Sequence, residues 1–160
     1  MQSTPTSWST YAHRRDSDWH VQAANLIKEL AEGLNQWAVP WPSINEFLAI
    51  VTHPKIYAPP STVKQAAAQV DAWLGSASLV LLSESSDHWM ELKELVVKGQ
   101  VRGPLVHDAR IAALCTTHGV TEFLTADRDF SRFPTLSTRN PLVSLTKKGG
   151  KHFVRWPAPR

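Results

Sequence analysis

Apolar residues recur at helical spacing in five stretches of the chain, and short β-prone runs fall between them. Trp19, Ala23, Leu26, Ile27, Leu30 and Leu34 form one stripe behind a candidate cap at Ser17 or Asp18, which predicts an amphipathic helix ending near Gly33. Trp37, Ala38 and Val39 read as a short buried strand. Pro42 and Ser43 then open a second helix through Ile44, Phe47, Leu48 and Val51, ended by Pro54. After the turn Ala58-Pro59-Pro60, Ser61 is expected to cap a third helix with Val63, Ala67, Val70 and Leu74 on one face, closed by Gly75. Residues 78–82 read as a strand, 86–98 as a fourth helix with Trp89, Leu92 and Val96 aligned, and 105 to about 118 as a fifth, stopped by Gly119. Residues 120–125 read as a strand, 126–134 as a loop and 140–145 as a last short strand.

Strands separated by helices of ten or more residues need crossover connections, so the sheet is expected to be parallel with helices on its faces. The fold class is α/β. One domain is expected over residues 1–144, with residues 145–160 as a disordered basic tail. Ligands of such sheets gather at the carboxyl ends of the strands, which makes polar residues just after strands the candidates for chemistry.

Composition narrows the classes. The 160-residue chain is 42% hydrophobic, enough for a single core without staples. Its one cysteine, Cys115, excludes an intrachain disulfide and a cysteine-built zinc site, and reads as a small core residue. No apolar run approaches the roughly 18 residues of a membrane span, and the opening residues lack the apolar centre of a signal peptide, so a cytoplasmic protein is expected. Trp19, Trp37, Trp41, Trp73 and Trp89 all fall at expected core positions.

The net charge of +3 is unevenly placed. The last sixteen residues hold Lys147, Lys148, Lys151, Arg155 and Arg160 and no acid, leaving 12 basic and 14 acidic groups in residues 1–144, net −2. The body is therefore not a basic module. The tail reads first as a solvated terminus and second as a source of sequence-independent attraction to phosphate, to which Phe153 and Trp156 would add stacking.

The sequence contains no G-x-S-x-G, H-E-x-x-H, C-x-x-C or G-x-x-x-x-G-K-[ST] motif, which sets aside several hydrolase, redox and nucleotide-loop chemistries. What remains is a sparse set of acids in apolar surroundings: Glu46 in WPSINEFLAIVTHP, Asp108 in VHDARIAAL and Asp127 in FLTADRDF. Each has an ordinary reading alone: Glu46 as an acid paired on a largely buried helix, Asp108 as a helix cap, Asp127 as a turn residue. Three carboxylates on the rim of one parallel sheet are, however, a density of negative charge that calls for a cation. Mg2+ or Mn2+ suits all-oxygen ligands, and it can polarise a phosphodiester and activate a water. His53 and His107 are nearest this set but lack metal-ligand spacing, so surface or helix-end roles are expected.

The stretches WPSINEFLAIVTHPKIYAPPST, VHDARIAALCTTHGVTEFLTADRDFSRFP and NPL, in this order, resemble the PIN-domain ribonucleases of the VapC toxin type, over roughly residues 11–143. The resemblance implies a three-layer PIN-like fold, and a metal site of four acids, three of which match Glu46, Asp108 and Asp127. Thr125 matches a hydroxyl that helps order the last acid, and Asp129 is a secondary candidate. Arg110 and Arg128, which flank acids, are candidates either to steady a carboxylate or to meet a substrate phosphate.

The departure is at the first acid. Family members open with a run like D-x-N-x-L-L-Y-A-H, and setting Tyr11-Ala12-His13 at its end puts Pro5 at the Asp and Ser7 at the Asn. Residues 4–10 are also too polar for a central buried strand, so the first strand is expected to be degenerate or shortened. The resemblance implies an endoribonuclease toxin using Mg2+ or Mn2+, impaired by the missing ligand, with RNA as substrate, a homodimeric state and a VapB-type antitoxin as partner. The alternative from a different class is an inactive PIN module that binds antitoxin or RNA without cutting.

Overall fold

The structure, a computed structural model, describes residues 2–3 and 6–141. Its strands are β1 (Gln2–Ser3), β2 (Trp37–Pro40), β3 (Leu79–Leu82), β4 (Glu122–Leu124) and β5 (Thr138–Arg139). The helices are α1 (Thr6–His13), α2 (His20–Glu32), α3 (Trp41–Val51), α4 (Val63–Leu74), α5 (His88–Lys98) and α6 (Leu105–Thr117), with a 3-10 helix at Arg128–Arg132. All pairings are parallel and the order across the sheet is β3-β2-β1-β4-β5.

Strand alternation builds the three layers, because successive side chains point to opposite faces. Trp37 and Val39 of β2 enter a cluster with Ile44, Phe47 and Val51 of α3 and Ala66, Val70 and Trp73 of α4. Ala38 between them, with Leu82 and Phe123, faces the other cluster, formed with Leu95 of α5, Ile111 to Cys115 of α6, Phe130 and Phe133. Full burial of a large apolar side chain of this kind is worth about 1.5–3 kcal/mol. Both sheet faces are covered, so the strand ends are where polar chemistry can sit.

The segment expected to be too polar for a strand is mostly a helix. Only Gln2 and Ser3 occupy the central sheet position, and Thr6–His13 forms α1, which packs on α2 and α3 with Ser9 and Thr10 buried. Its residues are modest helix formers, so packing rather than propensity holds it. Pro5, the residue set at the family's first acid, lies outside the described residues.

Other expectations shift by one position or one turn. The α4 cap is Thr62, not Ser61: its hydroxyl accepts the Gln65 N–H at 3.2 Å while the Gln65 side chain accepts the Thr62 N–H at 2.9 Å. The buried face of α4 is Ala66, Val70 and Trp73, leaving Val63 and Leu74 exposed. Trp37 and Trp73 are core residues, whereas Trp41 and Trp89 are exposed and His88 takes the buried place beside Trp89. Helix α2 begins at His20 without a side-chain cap, and Leu34 lies beyond it, exposed. The 126–134 loop contains the 3-10 helix, and the last described strand is Thr138–Arg139; residues 142–145 of the expected strand lie outside the described residues.

Candidate metal and phosphodiester site

The acids come from three elements that start or end at the carboxyl edge of the sheet. Helix α3 follows β2 without a linker, with Pro42 in its first turn, and Glu46 sits on its solvent side beside the buried Phe47. Glu46 is thus exposed, where a buried acid was the ordinary expectation. Gly103, at φ +58, turns the chain into Pro104 and α6, and places Asp108 in the first turn of that helix. The N-cap residue of α6 is Pro104, with no side-chain cap bond, and Asp108 lies at the fourth helical position rather than at the cap; Ala109, Ile111 and Ala112 beside it are core.

Asp127 follows β4. Its backbone N–H donates to the buried Thr125 hydroxyl at 2.9 Å, and its own Oδ1 accepts the Asp129 N–H at 2.9 Å, capping the 3-10 helix. Thr125 therefore fixes the backbone at Asp127. Asp129 lies 3.5 Å from the Arg132 guanidinium.

Electrostatics ties these residues together. The Asp108 carboxyl is pushed up from 3.8 to about 6, first by burial and then by the negative charges of Asp127, Glu46 and Asp129, opposed by His107. The amino end of a helix normally favours an anion by about 0.3–1 kcal/mol, so burial and repulsion outweigh the helix here. A half-buried carboxylate facing like charges is unfavourable as it stands and would be relieved by a cation.

Among the described residues no group of three His, Cys, Asp or Glu side chains is arranged to hold a metal ion directly. The two observations differ in range. Repulsion acts over many ångströms, whereas a Mg2+ ligand must stand about 2.0–2.1 Å from the ion. Mg2+ usually keeps several waters and takes one or two carboxylates plus substrate phosphate oxygens, so the set fits that ion and not one needing an all-protein cage.

Arg110, two residues after Asp108, turns to Glu84, with Nε 2.6 Å from Oε1. Glu84 is a residue that the sequence reading passes over, although its place two residues beyond β3 is the signal by which to find it. Beside the pair, His88 is buried with its Nε2 3.8 Å from Glu84 and, among the described residues, no hydrogen-bond partner on either ring nitrogen. Arg128 opens the 3-10 helix and is exposed; His53 and His107 are exposed as expected. An open groove of about 940 Å³ lies elsewhere, between His13, Arg14 and the α4 residues Gln65 and Gln69, and shares no residue with the acids. The chemistry points to the acidic rim rather than to this groove.

Comparison with known proteins agrees with this fold. The PIN domain family model matches residues 6–136. Ribonuclease VapC43 of Mycobacterium tuberculosis is 31% identical over 136 residues, covering 85% of this chain and 92% of the relative. Among solved structures, VapBC2 from Rickettsia felis bound to a DNA fragment from their promoter superposes at TM-score 0.62 and 21% identity, over 87% of this chain and 97% of that one. VapC20 of Mycobacterium tuberculosis, a sarcin-ricin loop cleaving toxin, superposes at 0.61 and 17% identity, over 82% and 93%. With a family model over residues 6–136, a 31% identical relative and a parallel sheet covered on both faces, this chain belongs to the PIN-domain family, among the VapC ribonucleases.

Proposed function

We propose that the chain is an endoribonuclease toxin that hydrolyses RNA phosphodiesters with a divalent cation at Glu46, Asp108 and Asp127. The observation that carries this reading is the placement of Glu46, Asp108 and Asp127 just past a strand end or in the first turns of a helix at one edge of the sheet, close enough for Glu46 and Asp127 to bear on the Asp108 carboxyl. When bound, Mg2+ or Mn2+ supplies charge neutralisation at the phosphate and activation of a water. The chain's own part is positioning. Thr125 holds the Asp127 backbone through a 2.9 Å hydrogen bond, the apolar α6 keeps Asp108 fixed and partly desolvated, and Asp129 adds negative charge near Asp108. Arg128, exposed at the start of the 3-10 helix next to Asp127, is the residue we assign to a substrate phosphate, and Arg110, bonded to Glu84, the one that steadies a carboxylate.

By family, the toxin acts as a homodimer in the cytoplasm and is held inactive by a VapB-type antitoxin over the acidic cleft. VapBC2 of Rickettsia felis, which has the same fold, is a solved structure bound to a DNA fragment from its promoter.

A second reading has its own support. Pro5 stands where the family's first acid is expected, and the described acids form no ready three-ligand group. An inactive module that binds antitoxin or RNA without cutting would account for both.

The separating experiment is cleavage of a hairpin RNA with Mg2+ or Mn2+ by the purified chain, its Pro5→Asp variant and an Asp108→Ala control. Cleavage by the unaltered chain that Asp108→Ala abolishes is the expected result. Cleavage only by Pro5→Asp would mean a sound scaffold silenced by the missing ligand. No metal-dependent cleavage by either would establish the inactive module.

A further inference from the structure

The acidic rim cannot hold a polyanion by itself. Glu46, Asp108, Asp127 and Asp129 repel phosphate until a cation is bound, and Arg110, Arg132 and Arg139 are paired with Glu84, Asp129 and Glu122. With Arg128 assigned to one phosphate, a strand needs further contacts.

The open groove of about 940 Å³ has the opposite character. Arg14, Arg15 and His20, from the α1–α2 connection and the start of α2, line one side, and the α4 residues Gln65, Ala68 and Gln69 line the other. Asp16 is the one acid among the described residues that line it. The cations there bear on one another: burial lowers the His13 pKa, its bond to Gln69 opposes this, and the charges of Arg14 and His20 lower it further.

Two of these groups serve the fold. Arg14 is engaged by Asp16, the Pro59 carbonyl and the Tyr57 ring, and His13 by Ser61 and Gln69. The others are open to a ligand. The Arg15 guanidinium is exposed and makes no hydrogen bond or ion pair among the described residues. His20 donates its Nδ1–H to the Tyr11 carbonyl at 3.3 Å, which leaves Nε2 to accept from a ribose hydroxyl. The Gln65 Oε1 accepts the Thr62 N–H, which leaves its NH2 group as a donor. No apolar side chain in the lining is larger than alanine or proline. A docked peptide helix needs pockets for large apolar anchors, whereas guanidinium, amide and imidazole groups on open walls suit a phosphate–ribose backbone.

Helix α3 connects the groove to the acids. The His13 ring meets Phe47 edge-on at 5.3 Å, and Glu46 is the residue before Phe47, exposed on the solvent side of the same helix. The Ser61 N–H in the groove donates to the Val51 carbonyl at the end of α3 at 2.9 Å. Groove and rim are thus roughly one helix diameter apart.

We propose that the groove between the α1–α2 connection and α4 holds the RNA backbone to one side of the scissile phosphate, with Arg15 as its phosphate contact. The inference rests on the ribonuclease reading for its ligand, and the groove takes no part in the chemistry.

The test uses the full chain, Arg15→Gln, Ala68→Glu, and Lys98→Gln as a control cation on α5 outside the groove. Ala68 is exposed, and glutamate, a good helix former, sets a carboxylate in the opposite wall there. Binding of a fluorescein-labelled hairpin RNA is followed by anisotropy in EDTA from about 50 to 300 mM KCl, beside that of labelled deca-glutamate. Mn2+-dependent cleavage of the RNA is measured separately, and thermal unfolding confirms that each variant is folded. Arg15→Gln is expected to lower RNA affinity about threefold or more at about 100 mM KCl and to make the logarithmic salt slope shallower by about 0.7–0.9, one phosphate contact. Ala68→Glu should lower affinity about tenfold or more and Lys98→Gln by less than about twofold, and both groove variants should cleave with a raised KM and an unchanged kcat. RNA affinities of both groove variants within about twofold of the unaltered chain would overturn the inference while leaving the nuclease reading intact. Loss of deca-glutamate binding with RNA binding unchanged would also overturn it, in favour of an acidic protein segment as the occupant. Absence of Mn2+-dependent cleavage by the unaltered chain, with the affinity losses present, would remove the nuclease reading and keep the RNA contact.

Discussion

Two polar clusters of the molecule are built on opposite logic. At the end of α1, Arg14 bonds Asp16, donates to the Pro59 carbonyl at 3.1 Å and lies 4.2 Å over the Tyr57 ring, while His13 Nε2 is 3.0 Å from the Ser61 hydroxyl and its ring meets Phe47 edge-on. There, donors find acceptors. At the carboxyl edge of the sheet, the negative charges of Asp127, Glu46 and Asp129 all bear on the half-buried Asp108. The first cluster fastens α1 to the turn before α4 and serves the fold. The second costs stability, and that cost is what makes it readable as a site for a cation.

The difference is sharpest in variants. Asp108→Asn is expected to reduce metal-dependent cleavage by more than about 100-fold in kcat, since even groups that only support a metal ligand are worth 10–100-fold. Phe47→Ala, at the junction of His13 and Trp73, should instead lower stability by about 3–5 kcal/mol in chemical denaturation, with residual folded protein keeping its kcat. If the two variants behaved alike, the division between fold cluster and site cluster would be lost.

Acidity separates the clusters further. The folded pKa of Asp108 is above its unfolded value, so its penalty is absent below the unfolded value of 3.8, grows as pH rises through the interval to about 6 and levels off above. The rise from 3.8 to about 6 corresponds to at most about 3 kcal/mol, which solvent screening at a partly exposed group reduces to roughly 1–2 kcal/mol. Asp108→Asn is therefore expected to be more stable than the unaltered, metal-free chain at pH 7.5, by a margin that shrinks toward pH 4. His13 runs the other way: burial, partly offset by its bond to Gln69, lowers its pKa, so its contribution is complete above pH 6.5 and falls as the solution becomes more acidic. Thermal unfolding from pH 4 to 8 checks both signs.

Smaller effects should follow the same division. Arg14→Ala removes an exposed ion pair and a cation–π contact, each worth about 0.5–1 kcal/mol, and should leave kcat unchanged. Thr125→Val keeps the buried volume but removes the acceptor for the Asp127 N–H, so a loss of about tenfold in kcat with under about 1.5 kcal/mol in stability is expected, restored by Thr125→Ser.

The candidate site is legible in the sequence because its acids lie where the sequence changes period. Glu46, Asp108 and Asp127 each stand just past a strand end or helix start, and those boundaries are marked by Pro42, Gly103 and the β-prone run before Thr125. What the sequence obscured has specific causes. The run Ala66-Ala67-Ala68 leaves the phase of α4 open, and only the contact of Trp73 with Phe47 decides it. His88 does not count as apolar in a periodicity reading, so Trp89 takes its place in the stripe and the helix is rotated by one residue. Segment 6–13 has weak helix formers, and its helix depends on α2 and α3, which no local pattern encodes. Glu84 escaped notice because its partner Arg110 is 26 residues away.

The central claim is that the repelling acids exist to meet a divalent cation. Calorimetric titration of Mn2+ into the unaltered chain and Asp108→Asn at pH 7.5 tests it most directly. Saturable binding of Mn2+ by the unaltered chain, weakened at least tenfold by Asp108→Asn, is the expected result. Equal binding by the two proteins, or none by either, would contradict the account.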